Sequence, residues 1–189
     1  EKARELAREL RRRIDDGADF AELAREHSHG HRSAQGGLWR PRDPDALEQL
    51  SAAVGVPGCL GVSLVTGWSD PPCRDDDELL WPLYGACQDL GAAVVVTSSH
   101  FIGPDMSYAM PVHLARVAAA FPRLRLIVGH ACWPWTTQAV ALAMRHTNVY
   151  LMPDFYLYLP HMPGARDYVD AVNGFLRHRV LFSSCYPSR

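Results

Sequence analysis

The residues able to do chemistry gather at four places. Thr97-Ser98-Ser99-His100, Gly129-His130-Ala131-Cys132-Trp133-Pro134-Trp135, Pro153-Asp154 and Ser184-Cys185-Tyr186-Pro187 each end an apolar, strand-like run. Imidazole carries protons near neutral pH and ligates metals, thiolate is a good ligand for borderline metals, and a carboxylate accepts protons or contacts substrate. Each side chain also has a plainer reading. A histidine at a strand end is often a hydrogen-bonded support, and a cysteine there a small buried hydrophobe. What raises the group above its members is position, since all four places fall at the same end of successive strands.

The elements that must hold them follow from hydrophobic periodicity. The pattern predicts strands at Cys59–Val65, Ala92–Ser98, Leu124–His130, Val149–Asp154 and Val180–Ser184. Between them it predicts helices over Asp75–Leu90, Pro111–Phe121, Thr136–His146 and Ala165–Arg177, with Pro82 in the first turns of the first and Gly91 as its C-cap. Ala92–Ser98 is a continuous Val-rich run, the kind expected of a parallel strand covered on both faces. The order βαβαβαβαβ implies an α/β fold with a parallel sheet and right-handed crossovers, whose chemistry sits at the carboxyl ends of the strands.

Ahead of this unit the composition is different. Of 40 charged residues among 189, ten Lys/Arg and eleven Asp/Glu fall in residues 1–50, so charge density drops from 42% to about 14% at that point. Ala3, Leu6, Ala7, Leu10 and Ile14 mark an amphipathic helix that Gly17 ends; Asp19 opens a second helix, with Glu22 in capping-box register and Phe20, Leu23 and Ala24 on its apolar side. His27, His29 and His31 alternate, but Ser28 and Gly30 do not fix them, so they read as a polar loop. We therefore divide the chain into a charged helical segment, 1–50, and a β/α unit, 56–189. A net charge of −2 gives no reason to expect nucleic acid or a membrane surface, and no apolar run is long enough to span a bilayer. Five widely spaced cysteines argue against a disulfide framework and fit a reducing cytoplasm. The opening Glu1-Lys2-Ala3 has neither Met nor a signal-like segment, as expected of an unsecreted piece of a longer chain.

Two resemblances emerge. Gly17-Ala18-Asp19-Phe20-Ala21-Glu22-Leu23-Ala24-Arg25-Glu26-His27-Ser28 and Ala34-Gln35-Gly36-Gly37-Leu38-Trp39 are similar to the middle of a parvulin-type peptidyl-prolyl isomerase. That resemblance implies a folding or chaperone-related role, with proline-peptide binding at Phe20, Leu38 and Trp39; the strands carrying that family's histidines have no counterpart here. Trp81-Pro82-Leu83-Tyr84, Phe121-Pro122-Arg123-Leu124-Arg125-Leu126-Ile127-Val128-Gly129-His130, Trp133-Pro134-Trp135, Asn148-Val149-Tyr150-Leu151 and Val180-Leu181-Phe182-Ser183-Ser184-Cys185-Tyr186-Pro187 resemble the amidohydrolase-related metal-dependent hydrolases, a group with decarboxylase and lactonase relatives. This second resemblance implies strands four to eight of a (β/α)8 TIM barrel acting on a small carboxylate, lactone or amide.

Carried over position by position, His130 matches the family's strand-six histidine. The strand-five ligand position falls among Thr97, Ser98 and Ser99, so His100 is the nearest substitute, and Cys185 stands where the family has an aspartate. Two readings stay open. In one, His130, Cys185 and His100 hold Zn²⁺, whose bound water attacks the substrate, with Asp154 as base or substrate contact and Trp133, Trp135 and Tyr186 lining the substrate. In the other no metal binds, and the unit is a divergent or non-catalytic relative. A partial barrel of five strands leaves two sheet edges open, which a second copy of the chain could cover.

Overall fold

Val94, Val96, Leu126, Val128, Val149 and Leu151 alternate with half-buried neighbours and are wholly buried, so their strands turn one face to a packed layer. The computed structural model describes residues 6, 8–10, 12–13, 16–27, 46–54 and 58–185. Two compact units divide at residues 40 and 41, ahead of the charge step. In the first, residues 16–19 link a helical stretch to helix α1 (Phe20–His27). Gly17 takes φ +93°, and Asp19 Oδ1 accepts from the Glu22 amide at 3.0 Å, which is the cap expected from the sequence.

The second unit contains α2 (Ala46–Val54), β1 (Gly61–Leu64), α3 (Trp81–Asp89), β2 (Ala93–Ser99), α4 (Pro111–Ala120), β3 (Arg125–Trp133), α5 (Thr136–Arg145), β4 (Val149–Met152) and α6 (Ala165–Asn173). The four strands are all parallel and lie in the order β1-β2-β3-β4. Strand order that never reverses is that of a singly wound barrel, not of an open doubly wound sheet. Leu83, Tyr84 and Cys87 of α3, Leu114 and Val117 of α4, Leu142 of α5 and Tyr168 of α6 join the buried strand residues in one core, and Leu50 of α2 adds to it.

Besides α2, which the periodicity does not mark and which crosses the boundary drawn at residue 50, the described elements differ from expectation in four places. The fifth strand is reduced to a parallel bridge between Leu151 and Val180, closed by Leu151 N–H to Arg179 O and Leu181 N–H to Leu151 O, both at 2.8 Å. Helix α3 begins at Trp81 rather than Asp75, because Asp77 caps a separate 3-10 turn at Glu78–Leu80. Helix α6 ends at Asn173, where Gly174 leaves helical geometry, well short of Arg177. The face of β2 carrying Val95 and Thr97 is only half-buried, since four strands do not enclose a barrel interior.

Asn148 ties two connections together. Its Nδ2 amide stands within 3.4 Å of Ala118 O, 3.0 Å of Phe121 O and 3.1 Å of Leu124 O, at the end of α4 and the start of β3. Ala118 O lies in the last turn of α4, where carbonyls lack helical partners, while Phe121 O also accepts from the Leu124 amide at 3.0 Å. Asn148→Ala is expected to lower unfolding free energy by about 1–3 kcal/mol, read from a urea midpoint shift at constant m-value. A shift under half of that lower bound would show that water replaces the amide.

Candidate active site

Strand β3 does not run straight to its end. Thr97 of β2 pairs with Gly129, but Ser99 pairs with Trp133, so His130, Ala131 and Cys132 bulge out of the ladder. All three are left-handed, at φ +61°, +45° and +60°. None is glycine, and each such residue costs roughly 1–2 kcal/mol, so the bulge persists only because its surroundings hold it. Tyr168 Oη donates to Ala131 O at 2.9 Å, and Trp133 Nε1 donates to Pro163 O at 2.9 Å. Asp154 supplies the third hold.

Asp154 opens the 3-10 turn after β4, itself at φ +55°, and is buried. Its Oδ2 accepts from the His130 backbone N–H at 3.0 Å and lies 2.9 Å from His130 Nδ1. The second contact is a close approach rather than an aligned hydrogen bond. Burial pushes the Asp154 carboxyl up, but the His130 ring, Ser183 and the His130 amide together hold it below the usual aspartate value. With Nδ1 turned to the carboxylate, Nε2 is the nitrogen of His130 left for chemistry.

Around this pair stands an aromatic wall. Tyr156, two residues after Asp154, is buried and stacks on Trp133 with ring centroids 4.9 Å apart and planes 7° apart. It meets His130 edge-on at 5.6 Å, and its hydroxyl lies 3.4 Å from His100 Nδ1. His100 in turn contacts Phe101 at 3.7 Å and Trp133 at 4.6 Å, and its own N–H donates to Trp133 O at 3.0 Å. Burial, then the charge of His130, pulls the His100 imidazole below its ordinary value. Burial raises the Tyr156 phenol, with charge on Cys185 and Asp154 adding to it.

The structure thus brings His130, Asp154, His100 and Trp133 together, and Tyr156 joins them although the sequence reading passed over it. Its signal was available, because it follows Asp154 by two positions beyond the same strand end. Trp135 sits apart, half-buried at the N-cap of α5, with its amide bonded to Cys132 O. Cys185, at φ +51°, lies after the Val180 bridge with its amide near Ser183 Oγ. Tyr186, His29, His31 and the Ala34–Trp39 stretch lie outside the described residues.

A zinc site takes three or four protein ligands on one point. Among the described residues no three His, Cys, Asp or Glu side chains converge in that way. Nδ1 of His130 faces Asp154, and Nδ1 of His100 faces the Tyr156 hydroxyl. Among the described residues His100, His130 and Cys185 are thus not gathered on one point, as a zinc site built from these three alone would need.

The molecule's relatives agree with this architecture. An uncharacterized TIM-barrel protein, Bb4693, from Bordetella bronchiseptica is 36% identical with a TM-score of 0.71, covering 79% of this chain and 51% of that one. The chain thus spans about half the length of that barrel. A 2,6-dihydroxybenzoate decarboxylase complexed with 2,6-dihydroxybenzoate (18% identity, TM-score 0.57) and one from Rhizobium (20%, 0.56) each cover 77% of this chain and 57% of their own, and share its fold. No curated protein matches. None of these matches supports the parvulin-type resemblance of the N-terminal residues. The amidohydrolase family model matches residues 4–188, which takes in the helical segment as well as the strands, and the chain belongs to that family.

Proposed function

We propose that this chain carries the proton-handling side of an amidohydrolase-family barrel acting on a small carboxylate, lactone or amide, by hydrolysis or decarboxylation. The observation that carries the reading is the His130–Asp154 pair, in which one carboxylate oxygen contacts both Nδ1 and the backbone N–H of the same histidine. Both reactions need one well-placed proton carrier. In hydrolysis His130 takes a proton from the attacking water and returns it to the leaving group. In decarboxylation it delivers a proton to the carbon that loses CO2. Asp154, buried and in contact with His130, positions the imidazole rather than meeting the substrate itself. Trp133 and His100 offer flat, partly exposed rings beside it for a small unsaturated or aromatic acid. 2,6-Dihydroxybenzoate, bound to one decarboxylase of the same fold, is an aromatic acid of that kind and joins the compounds tested.

The test is turnover by the purified chain of a panel of benzoates, aliphatic carboxylates, lactones and amides, with and without added zinc. Turnover of one class, lost in His130→Asn, supports the reading. Turnover of none of the classes, or turnover indifferent to His130, overturns it.

A further inference from the structure

Asp75 lies away from the pair just described, yet it is the most confined carboxylate among the described residues. It is 1% exposed, on the segment 65–77 that follows β1. Its Oδ1 accepts from Thr66 Oγ1 at 2.5 Å, and its backbone carbonyl accepts from Tyr84 Oη at 2.8 Å. Its Oδ2 is buried with no hydrogen-bond partner. An ionised carboxylate with a bare, buried oxygen is costly, whereas a neutral carboxyl tolerates such a place.

Its acidic neighbours deepen the problem. Asp76 adjoins it, Cys73 lies on the same segment, Tyr84 faces it from α3 and Cys132 from β3. All are acids that would add negative charge. The cations nearby are committed elsewhere, since His113 and Arg116 of α4 pair with the two oxygens of Asp76 at 2.9 and 2.5 Å.

The segment that Asp75 secures reaches the rim of the active site. Thr66 and Gly67 are buried, and Cys73 N–H returns to Thr66 O at 3.2 Å, which folds the segment on itself. Gly67 packs so closely on Gly103 that an added Cβ would stand 2.6 Å from the Gly103 nitrogen. Trp68 Nε1 donates to Phe101 O at 3.1 Å, and the Arg74 guanidinium lies 5.2 Å from the centre of the Tyr108 ring. The segment thus leans on residues 101–108, which begin beside His100.

We propose that Asp75 is a proton-dependent latch: its neutral carboxyl, held by Thr66, keeps the 65–77 segment closed against Phe101 and Gly103, and its ionisation releases that segment from the rim. The latch stands on this packing and does not depend on the chemistry proposed for His130. Burial, opposed by the Thr66 hydrogen bond and reinforced by Asp76, pushes the Asp75 carboxyl up to about 7. Because the closed state has the raised value, closure is fully favoured at low pH and is lost as pH rises through that value.

Hydrogen–deuterium exchange of the full chain, followed by mass spectrometry from about pH 4.5 to about 8.5 and corrected for the intrinsic rate, tests the latch. Protection of peptides within 65–77 is expected to fall by up to roughly tenfold per pH unit as pH rises from the ordinary aspartate range toward the raised value, and to level off above it, while β2 and β3 stay protected. Asp75→Asn, which cannot ionise, is expected to give a flat profile. A second variant covers the case in which Asp75→Asn does not fold. Thr66→Val removes the donor but keeps the carboxyl, so it lowers protection of 65–77 at every pH and keeps the slope. Parallel profiles for parent and Asp75→Asn, a loss spread over β2 and β3, or a flat profile in Thr66→Val overturns the proposal.

Discussion

Asp154→Ala is expected to destabilise the β/α unit by roughly 1–3 kcal/mol, the usual effect of leaving a buried donor without its acceptor. The reason is larger than one contact. Asp154 Oδ2 serves both the ring and the amide of His130, the first residue of a three-residue left-handed bulge. Without that oxygen the His130 N–H loses its acceptor and the ring its neighbouring carboxylate, and backbone strain of roughly 1–2 kcal/mol per residue loses one of its restraints. Asp154→Asn keeps an acceptor for the amide and is expected to cost about half as much. Urea unfolding monitored by circular dichroism measures both. A midpoint for Asp154→Ala indistinguishable from the parent would mean that Tyr168 and Trp133 hold the bulge without help. Acid should act in the same direction as the mutation. The folded-state value of Asp154 is lowered, so its stabilisation is present above the ordinary aspartate range and is lost as pH falls through the folded value. Asp75 works with the opposite sign.

How much of this was legible in the sequence depends on the kind of signal. Strand and helix order followed from apolar periodicity, since Val94, Val96, Leu126, Val128 and Leu151 are buried where the pattern places them. The rim residues followed too, because in a parallel sheet position past a strand end is nearly a coordinate in space. Pairing across the rim was not legible. Asp154 and His130 are 24 residues apart, and nothing local in either segment encodes their contact. The bulge was hidden for a different reason. His-Ala-Cys carries no glycine, so left-handed geometry there is imposed by tertiary contacts and has no propensity signature. Asp75 was masked by its setting, because Arg74-Asp75-Asp76-Asp77 reads as a solvated helix start. In the fold, Asp76 pairs with α4 and Asp77 caps a turn, while Asp75 alone turns inward. The zinc reading rested on residue type at strand ends, and type does not specify the convergence that a tetrahedral site needs.

His130→Asn carries the largest kinetic effect. On whichever compound the chain turns over, kcat/KM is expected to fall by roughly 10²–10⁴, the usual contribution of a positioned acid–base group. The fall should appear in kcat with KM little changed, because Nε2 acts on a proton in flight and not on the resting substrate. Asp154→Asn provides the discriminating comparison. Its side chain can keep an oxygen for the His130 amide but carries no charge, so it no longer stabilises the imidazolium that forms when Nε2 takes a proton. The imidazole then stays in place but is a weaker base. The expected signature is a large loss of kcat together with an altered pH–rate profile, in a protein less destabilised than Asp154→Ala. A merely structural Asp154 would instead leave the profile unchanged and scale the rate with the folded fraction. If Asp154→Asn retains the parent profile while His130→Asn is inactive, His130 works without its carboxylate and the pair is a scaffold for the bulge alone.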